Sequence, residues 1–132
     1  MLTNNPYQKL HLGCGSKHIP GFFHIDALDH TNVQRQADVR NLFFVPDNSA
    51  ELVYCSHVLE HFGRWEVPEL LKEWYRVIQP GGILRLAVPN FKACVEIYVE
   101  DNLAGDIRAL MGLICGGQKD EYDYHKSIFD EK

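Results

Sequence analysis

The sequence predicts an α/β domain with a mostly parallel sheet. Short apolar stretches of strand length alternate along the chain with stretches that carry one apolar helical face. Glycines or carboxylates follow several of the apolar stretches, which is typical of parallel strands that end at one edge of a sheet. With 132 residues, of which 45% are hydrophobic, the chain is long enough for one core, so we interpret residues 1–132 as a single domain.

The stretch Gln8–Asp26 is predicted to form the first half of a ligand site. Gln8–Leu12 and Phe22–Ile25 are predicted strands, and Gly13–Gly15 between them is a glycine turn. Glycine permits positive φ and has no Cβ, so the backbone there can approach a ligand closely. Asp26 follows the second strand, where nucleotide-binding folds hold a ribose hydroxyl. A tight turn with no ligand is the alternative interpretation of the same glycines.

The spacing in this stretch differs from that of the dinucleotide fingerprint. Asp26 follows Gly15 by 11 positions, whereas the fingerprint places its acidic residue about 20 positions on. A full crossover helix cannot fit, so a helix over Ser16–Ile19 is at most one turn. A third glycine is missing at the expected offset, since Gly21 lies too far along, and this disfavours a nicotinamide-binding domain.

Two further strands are predicted in the middle of the chain. Val33–Ala37 is short and polar and ends before Asp38, and Ala50–Cys55 is apolar and ends before Ser56 and His57. In an open parallel sheet, ligands bind beyond the carboxyl ends of the strands. Carboxylates at two neighbouring strand ends, beside a glycine turn, therefore predict a nucleoside pocket. One carboxylate would take ribose hydroxyls and the other an adenine amino group, although capping or turn formation is the alternative role for each.

The second half of the chain is predicted to contain two helices and a fifth strand. Val67–Ile78 carries apolar residues at the spacing of one helical face. Pro80–Gly82 is predicted to end this helix and to lead into the apolar strand Ile83–Val88. A second amphipathic helix is predicted over Leu103–Ile114, and the acidic tail beyond it is predicted to be poorly ordered.

Composition and charge argue against several classes of function. The net charge of −5, without a basic stripe, argues against nucleic acid as a partner. No apolar run approaches the roughly 20 residues of a membrane helix, and the N-terminus has no secretory signal. We therefore expect a cytoplasmic protein with neither a nucleic-acid nor a membrane partner. The cysteines form no CxxC pair and are expected to be free thiols: Cys14, Cys55, Cys94 and Cys115.

The ordered segments LHLGCG, HID, ADVRNL, ELVYCSHVLEHF and VIQPGGILRLAVPNF resemble those of class I S-adenosylmethionine-dependent methyltransferases. The resemblance is greatest to small bacterial members with an LGCG loop and an LEH segment, and it covers about Lys9–Asn90. It implies a Rossmann-like methyltransferase fold and S-adenosylmethionine as the cofactor. It also implies methyl transfer to a small-molecule acceptor, such as a sugar or a glycan precursor.

The resemblance also implies roles for individual residues. The glycine turn would lie against the methionyl part of the cofactor, the first carboxylate would hold the ribose, and the second would contact adenine. The residues after the fourth strand would line the pocket near the sulfonium. Histidines are candidates for a general base because imidazole titrates near neutrality; the alternative is a structural hydrogen-bonding role. The implied cofactor-binding residues are His11, Gly13, Cys14, Gly15, Asp26, Asp38, Val39, Ser56 and His57, and the candidate catalytic residues are His57, His61 and His125.

Three features depart from the family pattern. His11 stands where members usually carry an acidic residue, so the carboxylate that attracts the cofactor's ammonium group is missing there. The first half of the chain is shorter than in the family, because the connection between the first two predicted strands has no room for a full helix. The sequence ends at Lys132, near where the last strand pair of the family sheet would begin, so the fold is expected to lack that pair. Ile83–Val88 would then be an apolar sheet edge, and we expect it to pair with a second copy in a homodimer or to be covered by the tail, unless the chain is a fragment.

Two other functions are alternatives. His57, Glu60 and His61 match the H-x-x-E-H pattern of inverted zinc proteases, which would make the chain a zinc hydrolase. That pattern needs a helix and a third ligand, and the sequence predicts neither, so no metal ligands are assigned. The second alternative is a catalytically inactive domain that binds the cofactor or a partner, which is favoured by His11 and by the short C-terminus.

Overall fold

The computed structural model describes residues 4–100 and 107–130. Over these residues it shows one parallel sheet of five strands in the order β3-β2-β1-β4-β5, with every neighbouring pair parallel. This is the strand order of a Rossmann-like sheet up to its fifth strand. The predicted α/β class and Rossmann-like fold are therefore confirmed. The strands are β1 (Lys9–Leu12), β2 (Phe23–Asp26), β3 (Arg35–Gln36), β4 (Ala50–Ser56) and β5 (Ile78–Ala87).

Three helices and a 3₁₀ turn accompany the sheet in the described part of the chain. The 3₁₀ turn (Leu59–His61) follows β4 closely. Helix α1 (Val67–Val77) has a proline in its first turn, where the missing N–H is not needed, and it connects β4 to β5. Helices α2 (Phe91–Glu100) and α3 (Arg108–Cys115) follow β5.

The core lies between the sheet and α1. Leu10 and Leu12 of β1 and Val53 of β4 are fully buried against the apolar face of that helix. Trp74, at the centre of the face, is also fully buried, and its indole N–H donates a hydrogen bond of 2.9 Å to the carbonyl of Val39. Because Val39 lies in the loop after β3, this side chain fixes the loop to the core.

The predicted boundary between α1 and β5 is wrong. Pro80–Gly82 was expected to separate them, but α1 ends at Val77 and Ile78 is already extended, paired with Ala50. The register shifts between the pairings of Ala50 and Leu52, which accommodates the Pro-Gly-Gly segment as an irregularity in β5. A proline is tolerated there because β5 is an edge strand. Its outer side has no neighbouring strand among the described residues, so no backbone N–H is needed on that side for a hydrogen bond within the sheet.

The segment after β5 also differs from the prediction. Helix α2 was not predicted, and the predicted helix over Leu103–Ile114 appears as α3, with residues 103–106 outside the described residues. The expectation of a poorly ordered tail is wrong for residues 116–130, hereafter the C-terminal segment. Its backbone is bonded to the body of the domain, with Lys126 N–H donating to the Glu60 carbonyl at 2.7 Å and Phe91 N–H donating to the Phe129 carbonyl at 2.9 Å.

Strand β5 forms one edge of the sheet. Ile83 is 56% exposed and Leu86 is 39% exposed. After β5, the described residues add to the ladder only an isolated parallel bridge between Asn90 and Phe129. Pairing of this edge with a second copy stays a prediction. Among the described residues, no helix is both long enough and apolar enough to cross a membrane.

Candidate functional site

A cavity of about 400 Å³ lies beyond the carboxyl ends of the central strands. Its wall is formed by the segments that follow β1, β2, β3 and β4 and by the C-terminal segment. Its volume is within the range of small-molecule sites, roughly 300–1,000 Å³. The residues that line it are Gly13, Gly15, Asp26, Ala27, Leu28, His30, Asp38, Val39, Arg40, His57, Val58, His61, Phe62, Glu66, Asp120, Glu121, Tyr122, Asp123 and Lys126.

The glycine turn after β1 has the conformation that its sequence predicts. Gly13 and Gly15 have φ values of 60° and 52°. The N–H of Gly13 donates to the Ile25 carbonyl at 2.8 Å, which holds the turn against β2. A Cβ added at Gly13 would overlap the side chain of Val58, whereas a Cβ at Gly15 would meet no atom within 4 Å. Gly13 is therefore needed for packing, and Gly15 keeps the cavity side of the turn open.

Replacing Gly13 with alanine is expected to destabilise the domain more than replacing Gly21. Both glycines have positive φ, so both variants incur the cost of a left-handed alanine, about 1–2 kcal/mol. Only Gly13→Ala adds an overlap with Val58, and this overlap should lower the free energy of unfolding by about 1–3 kcal/mol more, the usual cost of overpacking. Urea unfolding of both variants measures the difference, and equal free energies of unfolding would contradict the described packing of the turn.

Asp26 faces the glycine turn from the end of β2. Its Oδ2 accepts the Gly15 N–H at 2.7 Å and its Oδ1 accepts the Leu28 N–H at 2.8 Å. Each carboxylate oxygen retains acceptor capacity beyond these bonds. The half-buried carboxylate therefore lies on the cavity wall in a fixed orientation, able to accept from a ligand's hydroxyl groups.

Asp38 and Val39 also lie on the cavity wall, but the Asp38 carboxylate already has a partner. Arg40 Nε donates to both of its oxygens, at 3.0 and 2.9 Å, and these bonds hold the pKa of Asp38 below its usual value. The guanidinium of Arg40 also bonds to Glu66 at 3.1 Å. The adenine contact expected of Asp38 remains a prediction, and it would be made by an ion-paired carboxylate.

Three predicted cofactor-binding residues do not line the cavity. His11 is 4% exposed, within contact of the His24 and Tyr54 rings on the neighbouring strands. The Cys14 thiol is buried beneath the turn, where burial and then the charge of Asp26 raise its pKa to about 11. Ser56 is half-buried at the end of β4, and its register partner is Ala87. The structure thus brings together the glycines, both carboxylates and Val39, but not these three side chains.

The stability of the domain is expected to fall as the pH drops from about 6.5 to 4. Burial, and then the neighbouring His24, lower the pKa of His11 to about 4 from the ordinary 6.5. The unfolded chain therefore takes up a proton in this interval that the folded chain does not. We expect a loss of about 2 kcal/mol in the free energy of unfolding between pH 7 and pH 5. Urea unfolding at both pH values measures it in the wild type and in His11→Phe, and an equally steep pH dependence in the variant would show that His11 is not its source.

The candidate catalytic histidines occupy different positions. His57 lies on the cavity wall with a φ of 56°, unusual for a residue other than glycine, and its Nδ1–H donates to Glu60 Oε1 at 3.2 Å. His61 also lies on the cavity wall. His125 does not line the cavity, and the centroid of its ring is 4.8 Å from that of His61. Because His57 precedes the 3₁₀ turn, it shares no helix face with His61. The helical context of a zinc protease is therefore missing, and the hydrolase alternative has no support.

Comparison with known proteins identifies the family. The family model described as a methyltransferase domain matches residues 20–86, about half of the chain. The chain belongs to the class I methyltransferase family. The resemblance of the ordered sequence segments to class I methyltransferases is thereby confirmed, whereas the resemblance to the small bacterial type stays a prediction. A provisionally assigned type II methyltransferase from Anaeromyxobacter dehalogenans has a similar structure, with 20% identity, a TM-score of 0.47 and coverage of 73% of this chain. This chain spans about half (49%) of that protein's length. No curated protein matches the chain.

The structure adds residues to this methyltransferase domain's cavity that the sequence did not indicate. Arg40 and Glu66 reach it through their ion pair, and the C-terminal segment contributes a wall that was expected to be disordered. The acidic residues after Gly116–Gly117 were the one sequence feature that could have indicated this wall. Apolar residues are sparse there, so a solvated tail was the simpler interpretation. Carboxylates outnumber basic groups among the described lining residues; the acidic ones are Asp26, Asp38, Glu66, Asp120, Glu121 and Asp123, and the basic ones are Arg40 and Lys126.

Proposed function

We propose that this domain binds S-adenosylmethionine in the cavity and transfers its methyl group to a small-molecule acceptor. The observation that carries the proposal is the position of Asp26. Its carboxylate, at the end of β2, lies on the same cavity as Gly13 and Gly15 at the end of β1. A ribose held by that carboxylate would place the rest of the cofactor against the open side of the turn. Methyltransferase-domain proteins generally use this cofactor, which supports the choice of ligand.

The charge of the cavity fits this cofactor. S-adenosylmethionine carries a sulfonium and an ammonium against one carboxylate, so it has an excess of positive charge. On the cavity wall, Arg40 is paired with Asp38 and Glu66, and this leaves an acidic excess that Lys126 offsets only in part. The carboxylates of Asp120 and Asp123, from the C-terminal segment, add negative charge that β1 lacks because His11 replaces the usual acidic residue. An acidic, partly enclosed site favours a cationic ligand.

The open space at the glycine turn fits the cofactor as well. Gly15 has no atom within 4 Å of the place that a Cβ would occupy, so its backbone can be approached directly from the cavity. We place the methionyl part there. Val39 and Asp38, on the next strand end, would contact the adenine, with Asp38 accepting from its amino group while it remains paired with Arg40.

The acceptor would enter beside His57. When bound, the cofactor supplies a methyl group on a sulfonium, which an acceptor atom takes as the carbon–sulfur bond breaks. The chain's own contribution is to hold the two reactants in line and exclude water, which can lower a barrier by roughly 7–11 kcal/mol. His57 is fixed through Nδ1 by Glu60, which leaves Nε2 for an acceptor hydroxyl such as that of a sugar. The candidates His61 and His125 contact each other, and a direct contact with the acceptor is proposed only for His57.

A catalytically inactive domain of the same fold is the second candidate. His11 favours it, because a buried neutral imidazole cannot attract the cofactor's ammonium group as a carboxylate would. The inactive domain would still bind the nucleoside part of the cofactor, since that part depends on Asp26. Binding and turnover therefore have to be measured separately.

The experiment is a calorimetric titration with S-adenosylmethionine and with its demethylated product, followed by a methyl-transfer assay with labelled cofactor and a panel of sugars. We expect both ligands to bind at one site per chain, with the charged cofactor binding more tightly because of the acidic wall. Transfer of label to a sugar supports the proposed activity. Binding without transfer to any acceptor supports the inactive domain, and failure of both ligands to bind contradicts both candidates.

A further inference from the structure

A cluster of three potential metal ligands lies at the cavity wall, and one of its members, His61, lines the cavity. Glu60 and His61 belong to the 3₁₀ turn after β4, and His125 comes from the C-terminal segment. One ligand atom from each side chain lies within 4.8 Å of the other two. Glu60 and His61 belong to the H-x-x-E-H pattern, but the sequence did not connect them with His125, which is far away along the chain.

Hydrogen bonds to backbone carbonyls orient both imidazoles so that Nε2 of each ring is turned away from its carbonyl partner. Nδ1 of His61 lies 3.0 Å from the Tyr124 carbonyl, and Nδ1 of His125 lies 2.9 Å from the Leu113 carbonyl. A carbonyl oxygen only accepts, so Nδ1 carries the proton in each ring, and in the neutral ring Nε2 has a free lone pair. A carbonyl that orients the second nitrogen in this way is the usual outer partner of a metal-binding histidine.

The carboxylate of Glu60 is the observation that points to a cation. The side chain is 1% exposed, and its Oε2 has no hydrogen-bond partner among the described residues. Its Oε1 accepts from His57 and lies 3.9 Å from Nε2 of His125, too far for a hydrogen bond. The buried carboxylate therefore has an oxygen without a partner in the described part of the chain and lies close to two imidazole nitrogens, an arrangement that a bound cation would satisfy.

We propose that Glu60, His61 and His125 bind a divalent transition-metal ion, with zinc as the best match. Two imidazole nitrogens and one carboxylate oxygen are a donor set that zinc accepts, with a fourth position left over. In a tetrahedral site with zinc–ligand distances of about 2.0–2.1 Å, two donor atoms lie about 3.4 Å apart, so donor atoms that now lie within 4.8 Å of one another need to close by at most about 1.4 Å. Because His61 also lines the cavity, the ion would lie at the cavity wall.

Such an ion would tie the C-terminal segment to the turn after β4. The two are already joined there by backbone bonds from Lys126 and Ser127 to the Glu60 carbonyl, at 2.7 and 3.1 Å. The carboxylates of Asp120 and Asp123, in the same segment, line the cavity. Metal binding would therefore stabilise one wall of the cavity, and the inference stands independently of which cofactor occupies it.

The test uses the whole chain, stripped of metal with a chelator and titrated with Co²⁺ and Zn²⁺. We expect visible Co²⁺ absorption that saturates at one ion per chain, displacement by Zn²⁺, and a rise in the melting temperature with zinc. Loss of a ligand in Glu60→Gln or His125→Gln should weaken binding by more than about 100-fold. His18→Ala is the matched control, since this exposed imidazole stacks on His24 and should leave binding unchanged.

Two results would overturn the inference. The first is a wild type that gives neither Co²⁺ absorption nor a zinc-dependent rise in melting temperature, which would show that the three side chains do not bind an ion. If His125→Gln binds the metal as the wild type does, the ion is held elsewhere. His125→Gln decides the question alone should Glu60→Gln fail to fold.

Discussion

Replacing Trp74 with alanine should destabilise the domain by about 3–5 kcal/mol, the range for removing a fully buried tryptophan. The side chain is 0% exposed at the centre of the α1 face, so truncation leaves a cavity between α1 and the sheet. It also removes the indole N–H that the Val39 carbonyl accepts at 2.9 Å. Because Val39 lies in the loop after β3, which forms part of the cavity wall, the variant should lose ligand binding together with stability. Urea unfolding gives the free energy.

Two further substitutions separate the contributions of Trp74. Trp74→Phe keeps most of the apolar volume but leaves the Val39 carbonyl unpaired, at a cost of about 1–3 kcal/mol. Tyr75→Ala, at an adjacent helical position that is 80% exposed, should change stability by less than about 0.5 kcal/mol. A loss below about 1 kcal/mol for Trp74→Ala would mean that α1 does not pack on the sheet as described.

Asp26→Asn should weaken the affinity for S-adenosylmethionine by about tenfold to about 100-fold. Hydrogen bonds to a charged group contribute about 1.5–3 kcal/mol, and the substitution replaces a charged acceptor by a neutral amide of the same shape. The amide can accept on one atom only, so the bond from either Gly15 or Leu28 is lost too. Calorimetric titration of the wild type and the variant measures the affinity.

Asp29→Asn is the matched control for Asp26. This exposed carboxylate lies three positions further on and does not line the cavity, so its loss alters the net charge equally without touching the site. We expect its affinity to equal that of the wild type. Unchanged affinity in Asp26→Asn, or an equal loss in Asp29→Asn, would remove Asp26 from the ribose contact and leave only an effect of overall charge.

The sheet was largely predictable because burial dictates the composition of its strands. β1 and β4 were predicted to within a residue at each end, since both are apolar runs bounded by turn residues. β5 was misjudged because a Pro-Gly-Gly segment normally interrupts a strand, and only its place at the edge of the sheet makes it tolerable. Helix α2 was missed because its apolar residues, such as Val95 and Val99, are mostly exposed and give little amphipathic contrast.

The part of the candidate site that lies at the ends of the strands could be predicted from the sequence. Gly13, Gly15 and Asp26 could be placed because strand ends in a parallel sheet converge. The pairing of Asp38 with Arg40 could not, since it depends on side-chain conformations after the strand. The proximity of His125 to Glu60 was equally hidden, because it depends on how the C-terminal segment folds back across the domain.

We propose that the cavity at the carboxyl ends of the strands is an adenosyl-binding site. A crystal structure of this chain with S-adenosylhomocysteine bound tests it most directly. We expect the ribose hydroxyls within hydrogen-bond distance of the Asp26 carboxylate, with the amino-acid part of the ligand next to Gly15. A nucleoside bound outside this cavity, or one whose ribose makes no contact with Asp26, would contradict it.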